Sequence, residues 1–352
     1  MKSRLSPDVF RIPVEEIKNG FFSDSYFLRT QEILNRDNYH PRVLMQVFQR
    51  QHAVLCGIDE ALAIIQKCAH NPKDLVVKAL HDGDEIRPWE SVLTIEGDLA
   101  NFSHLETVFL GVIARQTKIA TNVRRVVKAA SGKPVVFFPS RFDYYSVQLA
   151  DGYAAHIGGV TGVSTPANGA YYGEEALGTI PHALIAAYKG DSLRATKAFD
   201  KYMDKSIGRV ALVDFDNDCV RTSLQIAREL KDKLSAVRLD TSETVVDASV
   251  LPNMGMIKPT GVCPQLVFNV RSALDAEGFN HVKIMVSGGF NAERIAQYEK
   301  AKVPVDIYAV GSSLFSSNNI NFTADVVMVD GKPCAKFGRR YLPNPRLETV
   351  EL

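Results

Sequence analysis

No run of 18 apolar residues occurs anywhere in the chain, and its first eight residues, Met-Lys-Ser-Arg-Leu-Ser-Pro-Asp, lack the apolar stretch of a signal peptide. The expected protein is therefore neither exported nor membrane-spanning. Net charge is nearly absent as well: 41 basic residues face 40 acidic ones, so no global field draws the chain to nucleic acid or an anionic membrane. Any phosphate it binds must be gripped locally. The five cysteines, Cys56, Cys68, Cys219, Cys263 and Cys334, are odd in number, scattered, and form no C-x-x-C pair, which argues against a zinc or redox motif. Reduced thiols in a cytoplasmic protein are expected. No internal repeat or low-complexity tract is present, which removes solenoid and linker readings.

What is present is ordinary globular composition, 46% apolar and 23% charged, over a length that suggests two domains. The first hundred or so residues mix short helix and strand signals, with a β-rich run at 90–96 bracketed by Pro88 and Gly97-Asp98; a compact α+β domain over 1–118 is expected. Apolar residues then recur at intervals of three and four between Phe102 and Ala130, which predicts a long helix joining the two domains. Beyond it, short apolar runs at 135–138, 210–213, 236–239, 283–286 and 307–310 alternate with helical patterns such as 221–233 and 292–301. Strands buried on both faces and separated by helices imply parallel βαβ units. Polar and glycine residues follow strand after strand, which favours an α/β barrel over 119–317. Residues 326–337 read as two short strands around an Asp330-Gly331 turn, and the segment 318–352 is expected to return to the first domain.

A barrel meets its ligands at the C-terminal ends of its strands, and phosphate commonly sits in the last two such loops. Ser287-Gly288-Gly289 and Gly311-Ser312-Ser313 end successive strands there, glycine letting backbone N–H groups approach an anion and serine adding donors. Asn291 is placed to cap the following helix. Each turn by itself is equally a tight connection. Arg238-Leu239-Asp240 puts a guanidinium and a carboxylate on one side of another strand end, suited to pyrophosphate and to ribose hydroxyls or a metal, or to a simple salt bridge. Asp214, Asp216 and Asp218 follow a further strand, where they suit Mg²⁺ or the capping of a loop. His182 lies between Gly178-Thr179 and an alanine-rich helical run, open to a role as nucleophile or base and equally to a structural one. Tyr26, beside Asp24 and Ser25, and the pair Arg141-Phe142 offer flat surfaces for a heteroaromatic ring, or plain core aromatics.

In this order, Ser23-Asp24-Ser25-Tyr26, Leu105-Glu106-Thr107 with Ile119-Ala120-Thr121, Ile157-Gly158-Gly159 with Gly162-Val163-Ser164-Thr165, Gly178-Thr179-Ile180-Pro181-His182-Ala183-Leu184, Arg238-Leu239-Asp240, Val286-Ser287-Gly288-Gly289-Phe290 and Gly311-Ser312-Ser313-Leu314-Phe315 resemble the nicotinate phosphoribosyltransferase family. The resemblance, which extends to nicotinamide-using relatives, implies the type II phosphoribosyltransferase fold: an irregular, TIM-like α/β barrel with an N-terminal α+β domain completed by the C-terminal segment. It implies formation of nicotinate mononucleotide and pyrophosphate from nicotinate and phosphoribosyl pyrophosphate, coupled to ATP, with Mg²⁺, in NAD biosynthesis. Gly288, Gly289, Gly311 and Ser312 would then bind the 5′-phosphate, with Ser287 and Thr179 beside the substrate. Arg238 and Asp240 would meet pyrophosphate and ribose, and His182 would take a phosphoryl group from ATP. Asp214 and Asp216 are the candidate metal ligands, through pyrophosphate. Arg141 matches the base-site arginine, and Tyr26 a ring that reaches across a dimer, so a homodimer or larger homo-oligomer with shared sites is implied.

Ser164 aligns with an aspartate of the nicotinamide-using relatives; its hydroxyl can donate to a carboxylate, which favours nicotinate. The chain departs from the family in reading Thr241-Ser242-Glu243-Thr244 after Asp240, where Ser-Gly-Asp is common, and it lacks a cysteine-rich zinc segment, so no structural zinc is expected. Rival readings are a quinolinate or nicotinamide phosphoribosyltransferase, a barrel aldolase using Lys258 as Schiff base, and a non-catalytic nucleotide-binding relative. The Gly178-to-Leu184 motif argues against the quinolinate enzyme, and Lys258 reads as loop.

Overall fold

The computed structural model describes residues 3–142, 144–177, 179–316 and 320–352. The chain forms two compact units: residues 1–122, 153–158 and 317–352 make the first, and 123–152 with 159–316 the second. In chain order the strands are β1 (Arg42–Phe48), β2 (Ala53–Val54), β3 (Val76–Ala79), β4 (Glu85–Ile86), β5 (Ser91–Asp98), β6 (Val135–Phe137), β7 (Gly162–Val163), β8 (Arg209–Leu212), β9 (Leu234–Leu239), β10 (Lys283–Val286), β11 (Ile307–Val310), β12 (Thr323–Val329), β13 (Lys332–Pro333) and β14 (Glu348–Val350). No described helix is long and apolar enough to cross a membrane.

The first unit is built on a sheet of order β13-β12-β1-β5-β3-β14. The C-terminal residues complete it, since β12 runs antiparallel to β1 and β14 to β3. Asp330 and Gly331 both take positive φ, 47° and 74°, the twist a two-residue hairpin needs. The alternating inward positions Val43, Met45 and Val47 meet the helix Ile58–Cys68 in one apolar core. Asp82 accepts from the backbone N–H of Ile58 at the start of that helix, and from the Tyr153 hydroxyl. Burial raises the Asp82 carboxyl, and neighbouring Asp59 adds to the effect.

Glu106 opens the long helix Glu106–Ala129, and burial, with Asp325 and Asp24 nearby, pushes its carboxyl up to about 7. A carboxyl raised on folding favours the folded state fully below its unfolded pKa, and that contribution is lost as pH rises through the folded value. Stability is thus expected to decline from about pH 4.3 to about 7. Glu106→Gln should flatten that decline and add roughly 1–3 kcal/mol at pH 8. Urea titrations at pH 5 and 8 read it directly; the same pH slope in both proteins would remove Glu106 from the account.

The second unit carries six parallel strands in the order β7-β6-β11-β10-β9-β8. All five apolar runs expected as strands are strands, and the irregular α/β barrel is the observed architecture. The two-residue β7 has no sequence signal of its own, being too short for any periodicity. Val136, Met285 and Ala309 from β6, β10 and β11 pack together with Val210 of β8 inside the sheet's curve, which is why these strands read as continuous apolar runs. The side between β7 and β8 is spanned irregularly: Leu177 N–H donates to Val163 O, while the Thr179 hydroxyl donates to Val210 O. The helices Cys219–Leu230, Pro264–Ala276 and Ala292–Lys300 return the chain between successive strands from β8 to β11.

Candidate active site

The C-terminal ends of these strands surround a cavity of about 500 Å³. Strand order arranges the candidates along its mouth: Ser164 after β7, Ser140 and Arg141 after β6, Gly311 and Ser312 after β11, Ser287-Gly288-Gly289 after β10, then Arg238 and Asp240 at β9. Thr179 and His182 line it as well. Gly178 lies outside the described residues.

The two glycine turns are held against each other. Gly288 and Gly289 have φ of 84° and 70°, a left-handed pair that side chains disfavour. Gly311 faces a different constraint: a Cβ there would stand 3.1 Å from both the Phe138 carbonyl oxygen and the Phe142 ring. The Ser313 hydroxyl donates to Phe290 O at 2.7 Å and so ties the second turn to the first. Asn291 caps the helix Ala292–Lys300, accepting from Arg294 N–H. Arg294 was not singled out by sequence, yet it braces the turn, donating to Gly288 O at 3.0 Å and Val262 O at 2.7 Å and lying 4.2 Å over the Phe290 ring. Its spacing three residues beyond the cap was the only available signal.

Arg238 and Asp240 form a closed triangle with Ser287. Arg238 donates to Asp240 Oδ2 at 2.9 Å and to Ser287 Oγ at 3.1 Å, while Ser287 donates to Asp240 Oδ1 at 2.6 Å. The salt bridge therefore exists, and it faces the cavity rather than replacing a ligand site: the guanidinium retains N–H groups and the carboxylate retains lone pairs. At the start of the short helix His182–Ala187, His182 Nε2 sits 3.0 Å from both oxygens of Asp214, which follows β8. Both partners are carboxylate oxygens, which accept, so Nε2 carries a hydrogen. Burial raises the Asp214 carboxyl, and His182 opposes that shift.

The other aspartates after β8 serve the helix Cys219–Leu230. Asp218 caps it through Arg221 N–H, and Asp216 holds the Arg221 guanidinium and the Thr222 hydroxyl. Asp216 does not line the cavity. Among the described residues no group of three His, Cys, Asp or Glu side chains could hold a metal ion. Tyr26 belongs to the first unit, on the helix Ser25–Arg36, 58% exposed, with its hydroxyl donating to Asp24. Lys258 does not line the cavity either.

At the β7 and β6 end, Arg141 and Phe142 form a cation–π pair, 5.3 Å from guanidinium carbon to ring centroid. No carboxylate among the described residues pairs with Arg141. Ser164 Oγ lies 3.1 Å from Ser140 Oγ, which in turn lies 2.9 Å from Asn168 Oδ1. Neither Ser140 nor Asn168 stood out in the sequence, because only the pairing of β6 with β7 brings Ser140 to Ser164 and Asn168.

A parallel α/β barrel with paired glycine turns at neighbouring strand ends, in a chain that also carries an α+β unit, is the architecture of the type II phosphoribosyltransferases. The chain belongs to the quinolinate phosphoribosyl transferase family, whose N-terminal domain profile matches residues 24–117 and whose C-terminal domain profile matches 119–325. A nicotinate-nucleotide pyrophosphorylase from Pyrococcus furiosus superposes with a TM-score of 0.81 at 34% identity, covering 97% of this chain and 85% of that one. A nicotinate phosphoribosyltransferase of Mycobacterium tuberculosis is 29% identical over 262 residues, 72% of this chain and 54% of the relative. The chain thus spans about half the length of that curated relative. The human nicotinic acid phosphoribosyltransferase shares the fold, with a TM-score of 0.68 at 16% identity over 91% of this chain and 77% of that one.

Proposed function

We propose that the protein transfers the phosphoribosyl group of phosphoribosyl pyrophosphate to nicotinate, releasing pyrophosphate, in NAD biosynthesis, with ATP hydrolysis coupled to turnover through His182. The observation that carries this reading is the order of groups along the cavity: a base end where Arg141 can meet a carboxylate with Ser164 beside it, an anion grip at the two glycine turns, then Arg238 and Asp240, then His182, held by Asp214.

The pyridine nitrogen attacks ribose C1 with its lone pair as the C1–O bond to pyrophosphate breaks, and the departing oxygen takes that bonding pair. No general base is required. The turns orient the sugar through its 5′-phosphate, and Arg238 meets charge developing on the leaving group. Asp240 accepts from the ribose hydroxyls. Mg²⁺ fits a site of this kind, since it is typically held by one or two carboxylates plus substrate phosphates; Asp240 would hold it, and it would neutralise charge on pyrophosphate. Asp214 holds the Nε2–H of His182, leaving Nδ1 to accept the γ-phosphoryl of ATP with departure of ADP. Tyr26, exposed on the first unit, is the residue through which a second copy would complete the base site.

Quinolinate carries two carboxylates and calls for further cationic partners, whereas Arg238 is already committed to Asp240 and, among the described residues, leaves Arg141 as the arginine without a carboxylate partner at the cavity. That supports a monocarboxylate. Assaying nicotinate, quinolinate and nicotinamide separately, with phosphoribosyl pyrophosphate and Mg²⁺ and with or without ATP, tests the proposal. Product from quinolinate with release of CO₂, and none from nicotinate, would overturn it. His182→Ala is expected to abolish stimulation by ATP while leaving basal transfer, and an intact ATP response would show that another group accepts the phosphoryl.

A further inference from the structure

The hydroxyl of Ser164 has only one hydrogen, and its neighbours decide where that hydrogen points. Asn168 Nδ2 donates to the backbone carbonyl of Gln148 at 2.8 Å, which fixes the side-chain amide with Oδ1 on the opposite side. That oxygen is a pure acceptor. It accepts the Ser140 hydroxyl at 2.9 Å, so Ser140 has spent its hydrogen on Asn168, while the Thr165 hydroxyl has its one hydrogen between this oxygen at 2.9 Å and Gln148 Oε1 at 3.1 Å. At the 3.1 Å contact between Ser140 and Ser164, the remaining hydrogen is that of Ser164. Ser164 therefore donates into the wall and shows the cavity lone pairs alone. Asn168 is 1% exposed, so no water competes for its oxygen and the direction of the chain is set from behind.

We infer that Ser140 and Asn168 are positioning residues that set the hydrogen-bond polarity of Ser164 and so tune the choice between an acid and an amide at the base site. The inference rests on the reading that the pyridine ring binds at this end of the cavity. Lone pairs at Ser164 suit an amide N–H and oppose a carboxylate, which leaves the grip on the acid to Arg141. A bound carboxylate can recruit the Ser164 hydrogen only by breaking the Ser140–Ser164 bond, or by turning Ser140 away from Asn168. Either way one hydrogen bond is lost, worth about a three- to tenfold change in affinity. Serine at 164 is thus an acceptor or a donor according to its neighbours, and the identity of the residue alone does not decide acid against amide.

Benzoate and benzamide carry the same acid and amide on a ring that cannot attack the sugar, so their dissociation constants, measured on the full chain with phosphoribosyl pyrophosphate and Mg²⁺ present, read polarity without turnover. Ser140→Ala frees the Ser164 hydrogen, and the ratio of benzoate to benzamide affinity should rise by about three- to tenfold. Ser140→Thr keeps the hydroxyl and should return the ratio to that of the unaltered protein. Ser140→Cys, whose thiol is a weak donor, should fall between the two and provides a second variant if Ser140→Ala does not fold. A ratio unmoved in Ser140→Ala and Ser140→Cys but shifted in Ser164→Ala would overturn the relay while leaving the base site where it is placed. A ratio unmoved in Ser164→Ala too, or no binding of either compound, would overturn the placement of the base and the relay with it.

Discussion

Arg238→Ala is expected to lower kcat/KM for phosphoribosyl transfer by about 10²–10³, the usual loss when one preorganised donor facing developing charge is removed. The geometry behind this is the triangle of Arg238, Asp240 and Ser287, in which the guanidinium is only 13% exposed and is held by two partners before any ligand arrives. Little reorganisation is then needed when pyrophosphate departs. The substitution also strands Asp240 beside the cavity without its cation, and part of the loss comes from that unpaired carboxylate. Arg238→Lys keeps the charge but cannot reach Ser287 and Asp240 with a fixed fork, so most of the loss should persist. Steady-state kinetics with nicotinate and phosphoribosyl pyrophosphate, with unfolding curves to confirm the fold, would check both variants. Activity within threefold of the unaltered protein in Arg238→Ala would remove the triangle from the chemistry.

Gly152→Ala should be among the most damaging single-methyl changes in the second unit. Gly152 lies in the helix Gln148–Gly158, where alanine ordinarily gains about 1 kcal/mol over glycine. Here the added Cβ would fall inside the van der Waals radii of the backbone oxygen and Cα of Asn168, atoms that cannot rotate away. Overpacking of this kind costs about 1–3 kcal/mol, and more against backbone. A net fall of about 4–10 °C in Tm is expected. Because Asn168 anchors the hydroxyl chain behind Ser164, discrimination between acid and amide should loosen in the same variant. Thermal unfolding that matches the unaltered protein would mean that the helix and the Thr165-to-Asn168 turn separate at little cost.

The five strand runs of the second unit were legible because each is apolar on both faces and bounded by glycine or polar residues. The cap at Asn291 and the hairpin at Asp330-Gly331 were legible for a similar reason, since both depend on residues within a few positions. Among Asp214, Asp216 and Asp218 the sequence left metal binding and loop capping open. Two of them proved to serve the start of one helix, and only Asp214 turns toward His182. Arg294, Ser140 and Asn168 escaped notice because what each does depends on a partner contributed by another strand or turn.

Local pattern by itself therefore determined the alternation of strand and helix, the glycine turns and the residue types available to grip an anion, because burial period and backbone freedom are properties of neighbouring residues. The tertiary structure alone decided the order β7-β6-β11-β10-β9-β8, and with it which side chains share the cavity. It also decided that Ser140, backed by Asn168, stands within hydrogen-bond reach of Ser164. Strand adjacency is a long-range choice, and the donor or acceptor role of a hydroxyl belongs to its surroundings rather than to the serine.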